Sequence, residues 1–203
     1  MAVIRRNLFS LKATILFFVC CIVLCAGGVS SASAESAKPA GQDEASCVPV
    51  VVLKNREYYP ALTKAIGEAQ KEILMSFFLF KTGVNKKNYP DRIASHLIRA
   101  AKRGVIVKVI LEQTGGRDGK LDEENAATGR LLQNAGINVY FDAPRKTTHT
   151  KLVVIDRNIV FSGSHNLTQA ALKYNNEISV MFVSRDSAEE ARAYLLAIIK
   201  EAR

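Results

Sequence analysis

Apolar positions in this chain fall into short runs set apart by polar turns, and their period shifts from run to run. Residues 48–53 form a continuous apolar run that reads as a buried strand. Over 59–70 the period becomes helical, with Leu62, Ala65, Ile66 and Ala69 on one face. A second, strongly apolar strand is expected over 72–80. A loop carrying Lys81, Lys86 and Lys87 follows to residue 90. Residues 91–102 then place Ile93, Leu97, Ala100 and Ala101 on one helical face. A strand at 106–111, a glycine-containing flexible loop at 113–121 and a helix at 123–134 come next, with Gly136 as its C-terminal stop. Strands are expected at 138–141, 152–155 and 159–162, the last two joined by a tight Asp156-Arg157-Asn158 turn. A short helix at 169–173, a strand at 178–183 and an amphipathic helix at 187–201 complete the pattern.

Strands alternating with amphipathic helices predict an α/β layered sandwich, a mixed sheet with helices on both faces. No segment repeats another, so one folded domain is expected, over 47–203.

The first 34 residues stand apart from this pattern. Arg5, Arg6 and Lys12 precede an unbroken apolar run over 13–26, and Ala32-Ser33-Ala34 fits a small-residue cleavage site. Residues 1–34 are therefore read as a signal peptide, which predicts an exported, periplasmic or secreted protein. The alternative is a membrane anchor through residues 8–28. Residues 35–46 are small, polar and aperiodic, and read as a linker.

Setting the leader aside changes what composition says. The full chain carries 28 Lys and Arg against 19 Asp and Glu, a formal charge of +9. Cleavage after Ala34 would remove three cations and no acids, leaving +6 on the mature chain. It would also remove Cys20, Cys21 and Cys25, so Cys47 alone would remain and no internal disulfide could form. With 48% hydrophobic residues the chain is not disordered, collagen-like or a disulfide scaffold. The cationic excess points to anionic partners, nucleic acid or an anionic membrane surface.

Candidate chemistry gathers in 149–166. His149 and Lys151 lie two apart at a strand start, so their side chains share one side of the sheet. The hairpin returns the chain to Gly163-Ser164, where glycine admits close backbone approach to a ligand. Ser164 and Asn166 add short polar groups. An imidazole, an ammonium, a hydroxyl and an amide around one point suit a phosphate: lysine offsets oxyanion charge, and Ser and Asn donate hydrogen bonds.

Written as spacing, the segment is H-x-K-x4-D-x6-G-S-x-N, and it resembles the signature of the phospholipase D superfamily at every fixed position. Six such matches arise by accident with a probability on the order of 10⁻⁵ or less. Asn176-Glu177 resembles the polar-Glu position that follows the motif in many members. The resemblance implies His149 as a nucleophile forming a phosphohistidine. It implies Lys151 and Asn166, helped by Ser164, as ligands of the non-bridging phosphate oxygens, and Glu177 as the carboxylate that orients His149. Asp156, the motif's acid, is counted with the catalytic set, with a leaning toward charge balance and turn geometry. No metal and no cofactor is implied. One histidine must attack and another must protonate the leaving oxygen. Besides His149 the chain has only His96 and His165, and neither opens a second H-x-K. The second set is expected from another copy, in a homodimer with one composite site, like the small exported bacterial endonucleases of the superfamily.

Three functions are compatible with this reading. The first is a nuclease acting on DNA or RNA, with Arg145, Lys146 and Arg117 as candidate phosphate contacts. The second is a lipid phosphodiesterase acting on phospholipid or cardiolipin. The third is a non-catalytic nucleic-acid-binding protein, against which the intact motif argues. Solvated charge is the plain reading of the loop cations, which include Lys120. His96 is read as a surface or satisfied histidine. His165, in a variable motif position, is read as structural ahead of a place at the pocket mouth. Tyr89 is the main aromatic in the expected loops, so no base-stacking platform is evident.

Overall fold

The computed structural model describes residues 47–202, apart from 84, 86 and 144. The expected signal peptide or anchor and the linker lie outside the described residues. Among those described, no helix is long and apolar enough to cross a membrane.

Seven strands form one mixed sheet: β1 (Val50–Lys54), β2 (Glu72–Phe77), β3 (Ile106–Leu111), β4 (Asn138–Phe141), β5 (Lys151–Ile155), β6 (Ile159–Gly163) and β7 (Ile178–Val183). Their order is β1-β7-β6-β5-β2-β3-β4. The β2–β3 and β3–β4 pairs are parallel, and the remaining pairs are antiparallel. Five helices accompany them: α1 (Tyr58–Glu68), α2 (Tyr89–Lys102), α3 (Gly119–Gln133), α4 (Gln169–Lys173) and α5 (Arg185–Glu201).

Period two in the strands divides the core. Ile73, Met75 and Phe77 of β2 pack with Val153 and Ile155 of β5 against Leu62 and Ile66 of α1, Ile93 and Leu97 of α2, Leu132 of α3 and Leu172 of α4. On the other face Leu74, Ile110, Val154 and Val160 meet Ala188 and Leu195 of α5. The expected sandwich is thus the observed one, with four helices on one face and α5 on the other.

Several boundaries differ for local reasons. The run at 48–53 is not a buried strand: β1 is an edge strand, exposed except at Leu53. β2 stops at Phe77 because the following backbone turns to other partners. Phe78 donates its N–H to Thr150 O, and Phe80 to the Asn125 side chain at 3.0 Å. Phe80 is still fully buried, which is why its apolar run looks continuous in sequence. α2 begins at Tyr89 and not at residue 91, because Pro90 is tolerated in a first helical turn. α3 begins at Gly119, where the Asp118 carboxylate accepts the Leu121 N–H at 3.1 Å, so part of the expected flexible loop is helix. α5 begins two residues early, capped by Ser184.

Polarity of the strands matters for function. β2, β3 and β4 end where β5 and β7 begin and where β1 and β6 end. The loops at this one edge carry the residues of the motif, except Asp156.

Candidate active site

Lys151 opens β5 opposite Phe77 of β2. Burial leaves it 8% exposed, its Nζ donating to the His149 carbonyl at 2.8 Å and lying 5.1 Å from the centre of the Phe78 ring. Desolvation lowers its pKa, and the field of the Glu177 carboxylate opposes that shift. His149 is exposed, with its ring against Phe78 at 4.8 Å between centroids. Phe78 therefore packs both the expected nucleophile and the expected cation. It follows β2 directly and its own N–H is tied to Thr150. No sequence signal distinguishes it from its neighbours in the run 77–80.

The segment that carries His149 is fixed from below. The Thr148 N–H donates to Glu112 Oε2 at 2.5 Å and to Asp142 Oδ2 at 3.0 Å. Both carboxylates are buried. Burial and the neighbouring Asp142 push Glu112 up to about 7, against the pull of the Thr148 N–H and Arg117. Sequence reasoning missed this pair. Glu112 and Asp142 follow β3 and β4, and only the parallel ladder between those strands brings them together.

Ser164 and Glu177 form the second part of the site. The Ser164 hydroxyl donates to Glu177 Oε2, and the Asn175 amide donates to Oε1 at 3.1 Å. Glu177 is held by these two groups and makes no hydrogen bond to His149 in a single copy. Asn166 follows on the same edge, its Oδ1 buried without a partner. Its neighbour Leu167 is anchored by exchange of backbone bonds with Leu79 and Lys81, both at 3.0 Å.

Two expectations are corrected. Asp156 lies at the opposite end of β5 from Lys151. Its carboxylate accepts the backbone N–H groups of Gln70, Lys71 and Glu72 at 2.8, 2.7 and 3.0 Å. Asp156 and Arg157 have φ of 53° and 57°, the conformation of a tight hairpin turn. Asp156 thus belongs to turn geometry and not to the gathered site. At Gly163 the structure gives a different reason for glycine: a Cβ there would lie 2.4 Å from the Cα of Ser179 on β7, so its small size serves strand packing.

His165 is internal. It stacks on Tyr58 with centroids 4.4 Å apart, and its Nε2 lies 2.9 Å from Asn55 O. Because a carbonyl only accepts, Nε2 donates, and in the neutral ring Nδ1 accepts from Ser179 Oγ at 2.8 Å. Desolvation lowers its pKa in the same sense. His96, on α2, is likewise lowered by partial burial and by Arg99 and Arg103.

Among the loop cations, Arg145 and Lys146 are exposed just before Thr148. Arg117 donates to Thr114 O at 2.9 Å and lies in the field of Glu112 and Asp122, so its charge is engaged within the fold. Lys87 is exposed; Lys86 lies outside the described residues; Lys120 is in α3. Among the described residues no group of three or more His, Cys, Asp or Glu is placed to hold a metal ion. A cavity of about 560 Å³ opens beside Phe78, lined by Leu79, Lys81, Lys120, Leu121 and Ala170 among others.

A mixed seven-stranded sheet that presents an H-x-K pair, a Ser–Glu pair and an asparagine at one edge is the arrangement of the phospholipase D superfamily. Residues 62–199 match the family described as cardiolipin synthase, PLD-like domain, and the chain belongs to that family. It is 35% identical over 130 residues to cardiolipin synthase B of Shigella flexneri, a match covering 58% of this chain and 29% of the synthase. It is 36% identical over 99 residues to a phospholipase D of Rickettsia felis, covering 48% of this chain and 46% of that protein. The chain thus spans less than half the length of these curated relatives. Among solved structures it is similar to Nuc, a phospholipase D family member from Salmonella typhimurium. Identity to Nuc is 26% and the TM-score 0.65, over 77% of this chain and 97% of Nuc. NucT from Helicobacter pylori shares the fold, with a TM-score of 0.60 at 18% identity.

Proposed function

We propose that this chain is an exported endonuclease, hydrolysing nucleic-acid phosphodiesters at a site completed by a second copy. In the first step an imidazole nitrogen of His149 bonds to phosphorus and the bond to the leaving oxygen breaks. His149 of the partner subunit gives that oxygen its proton. Water then attacks the phosphohistidine, its proton passes to the same partner imidazole, and a phosphate monoester leaves. Lys151 offsets charge on the non-bridging oxygens, with Ser164 and Asn166 as hydrogen-bond donors.

The observation that carries the nucleic-acid reading is cationic side chains on both flanks of the site. Arg145 and Lys146 stand exposed on the side toward β4, and on the side toward β1 Lys54 and Arg56 are exposed and Lys173 is half-buried. Pairing of two copies draws support from the sheet face that α5 covers. Cross-strand register puts Val50 beside Phe182 and Lys54 beside Ile178. Phe182 packs toward α5, so Val50 and Val52 share its face, yet they are 55% and 48% exposed, and Ile178 57%. An uncovered apolar strip of this kind favours a partner surface.

A lipid substrate is the second reading. It is favoured by the apolar side of the 560 Å³ cavity (Phe78, Leu79, Leu121, Ala170). The test uses the purified full chain in EDTA with plasmid, single-stranded DNA and phospholipid vesicles. Cleavage of DNA that persists in EDTA and vanishes in His149→Ala is expected. Head-group release without DNA cleavage overturns the nuclease reading, as does binding of DNA without turnover. Sedimentation at micromolar concentration is expected to show a dimer; a fully active monomer refutes the composite site.

A further inference from the structure

Beside the site, on the β1 flank, two open depressions of about 380 and 510 Å³ share Lys54, Asn55 and Asn176. The first has Ser164 and Glu177 in its wall; the second ends at Lys173 and Tyr174. Together they form one groove leading away from the expected catalytic residues.

Its floor is rigid. Asn55 adopts φ 51°, a conformation that Asn tolerates better than most residues. It is locked there by three bonds of its own, with a fourth made by its neighbour. Its N–H donates to Glu177 O at 2.9 Å, and its side-chain oxygen accepts the Glu177 N–H at 2.8 Å. Its carbonyl accepts from His165 at 2.9 Å, and its neighbour Arg56 donates through Nε to Lys173 O at 3.0 Å. The groove is thereby fastened to the residue that bonds Ser164.

Its walls are mostly cationic. Lys54, Arg56 and Lys173 face two acids, Glu57 and Glu177. Glu57 is turned to the Lys54 N–H at 2.9 Å, and Glu177 is held by Ser164 and Asn175. At the far end the Tyr174 side chain is 68% exposed, with Lys173 Nζ 5.1 Å from its ring centre. A large exposed aromatic beside cations, on a track from a phosphodiesterase site, matches a single-stranded nucleic acid. Phosphates meet the ammonium and guanidinium groups, and an unpaired base stacks on the ring.

We propose that this groove holds the nucleotides flanking the scissile phosphate of a single strand, with Tyr174 as the stacking platform. The inference rests on the nuclease reading and gives it a strand preference, because a base in a duplex offers no free face to Tyr174.

The test measures binding and turnover apart. Full-length chain carrying His149→Ala binds a fluorescein-labelled oligothymidine, read by anisotropy. Adding Tyr174→Ala is expected to weaken binding about tenfold, within the range of base–aromatic stacking, while Tyr174→Phe retains it. In the otherwise native chain, Tyr174→Ala is expected to raise KM for the oligonucleotide. It should leave duplex cleavage and hydrolysis of bis(p-nitrophenyl) phosphate unchanged, which also shows that the variant folds. Native cleavage of DNA with unaltered oligothymidine affinity in Tyr174→Ala overturns the groove alone. An equal loss on duplex and single strand overturns it too. Binding sensitive to Tyr174 without cleavage by the native chain overturns the nuclease reading alone. No binding of the oligonucleotide overturns both.

Discussion

Glu112→Gln tests whether the buried carboxyl pair beneath His149 shares its charge as the structure implies. Glu112 is fully buried, and its Oε2 accepts the Thr148 N–H that Asp142 also accepts. Its pKa rises from 4.5 to about 7 on folding. Between these values the folded chain keeps a proton that the unfolded chain has released. Stability then falls as pH rises, by about 1.4 kcal/mol per unit, or about 3 kcal/mol in all. The contribution is fully present below 4.5 and is lost as pH passes 7. Glutamine copies the protonated carboxyl: its oxygen keeps the Thr148 bond and its NH₂ faces Asp142 without repulsion. Urea unfolding at pH 5 and pH 8 is the assay. With a slope of about 2 kcal/mol per molar, the variant is expected to unfold at about 1.5 M more urea than the native chain at pH 8, and at much closer urea at pH 5. A difference that is the same at both pH values refutes the reasoning. So does a variant less stable than the native chain at pH 8.

Three further outcomes follow from the geometry. Lys151→Gln is expected to lower kcat/KM on bis(p-nitrophenyl) phosphate by at least about a hundredfold while near-ultraviolet dichroism stays native; retained activity would remove Lys151 from phosphate stabilisation. Asp156→Asn is expected to cost about 2 kcal/mol in urea unfolding through the weakened backbone bonds at residues 70–72, with kcat unchanged; a large fall in kcat in the folded variant would return Asp156 to the chemistry. Gly163→Ala forces a Cβ against Ser179 across the β6–β7 ladder and is expected to cost about 2 kcal/mol or more, measured by the same unfolding; a neutral effect would show that the two strands separate freely.

What the chain disclosed in one dimension was what is local in one dimension. His149, Lys151, Ser164 and Asn166 lie within one hairpin, so their spacing carried them to a common edge. The turn role of Asp156 was legible in its Asp-Arg-Asn context, but not the three backbone donors from residues 70–72, which are distant in sequence. The valines of β1 were misread because an apolar run has the same pattern in a central strand and at an edge. The difference lies in what covers the sheet. Phe78, Glu112 and Asn55 were invisible for one shared reason. Each reaches the site only through pairings between elements far apart: β2 with β5, β3 with β4, and Asn55 with Glu177.

The core is unevenly divided. Among the described residues, twenty-five buried apolar side chains lie in the cluster beneath α1–α4 and six in the cluster beneath α5. Amide exchange should therefore open α5 at a lower free energy than the rest of the molecule, by a route that leaves the larger cluster intact. If a second copy seats on that thinly covered side, mass action enters the stability of each protomer. Dilution would then loosen α5 as heating does, and the midpoint of unfolding would climb with protein concentration. An enzyme so arranged would be inactive where it is scarce and would become competent as it accumulates.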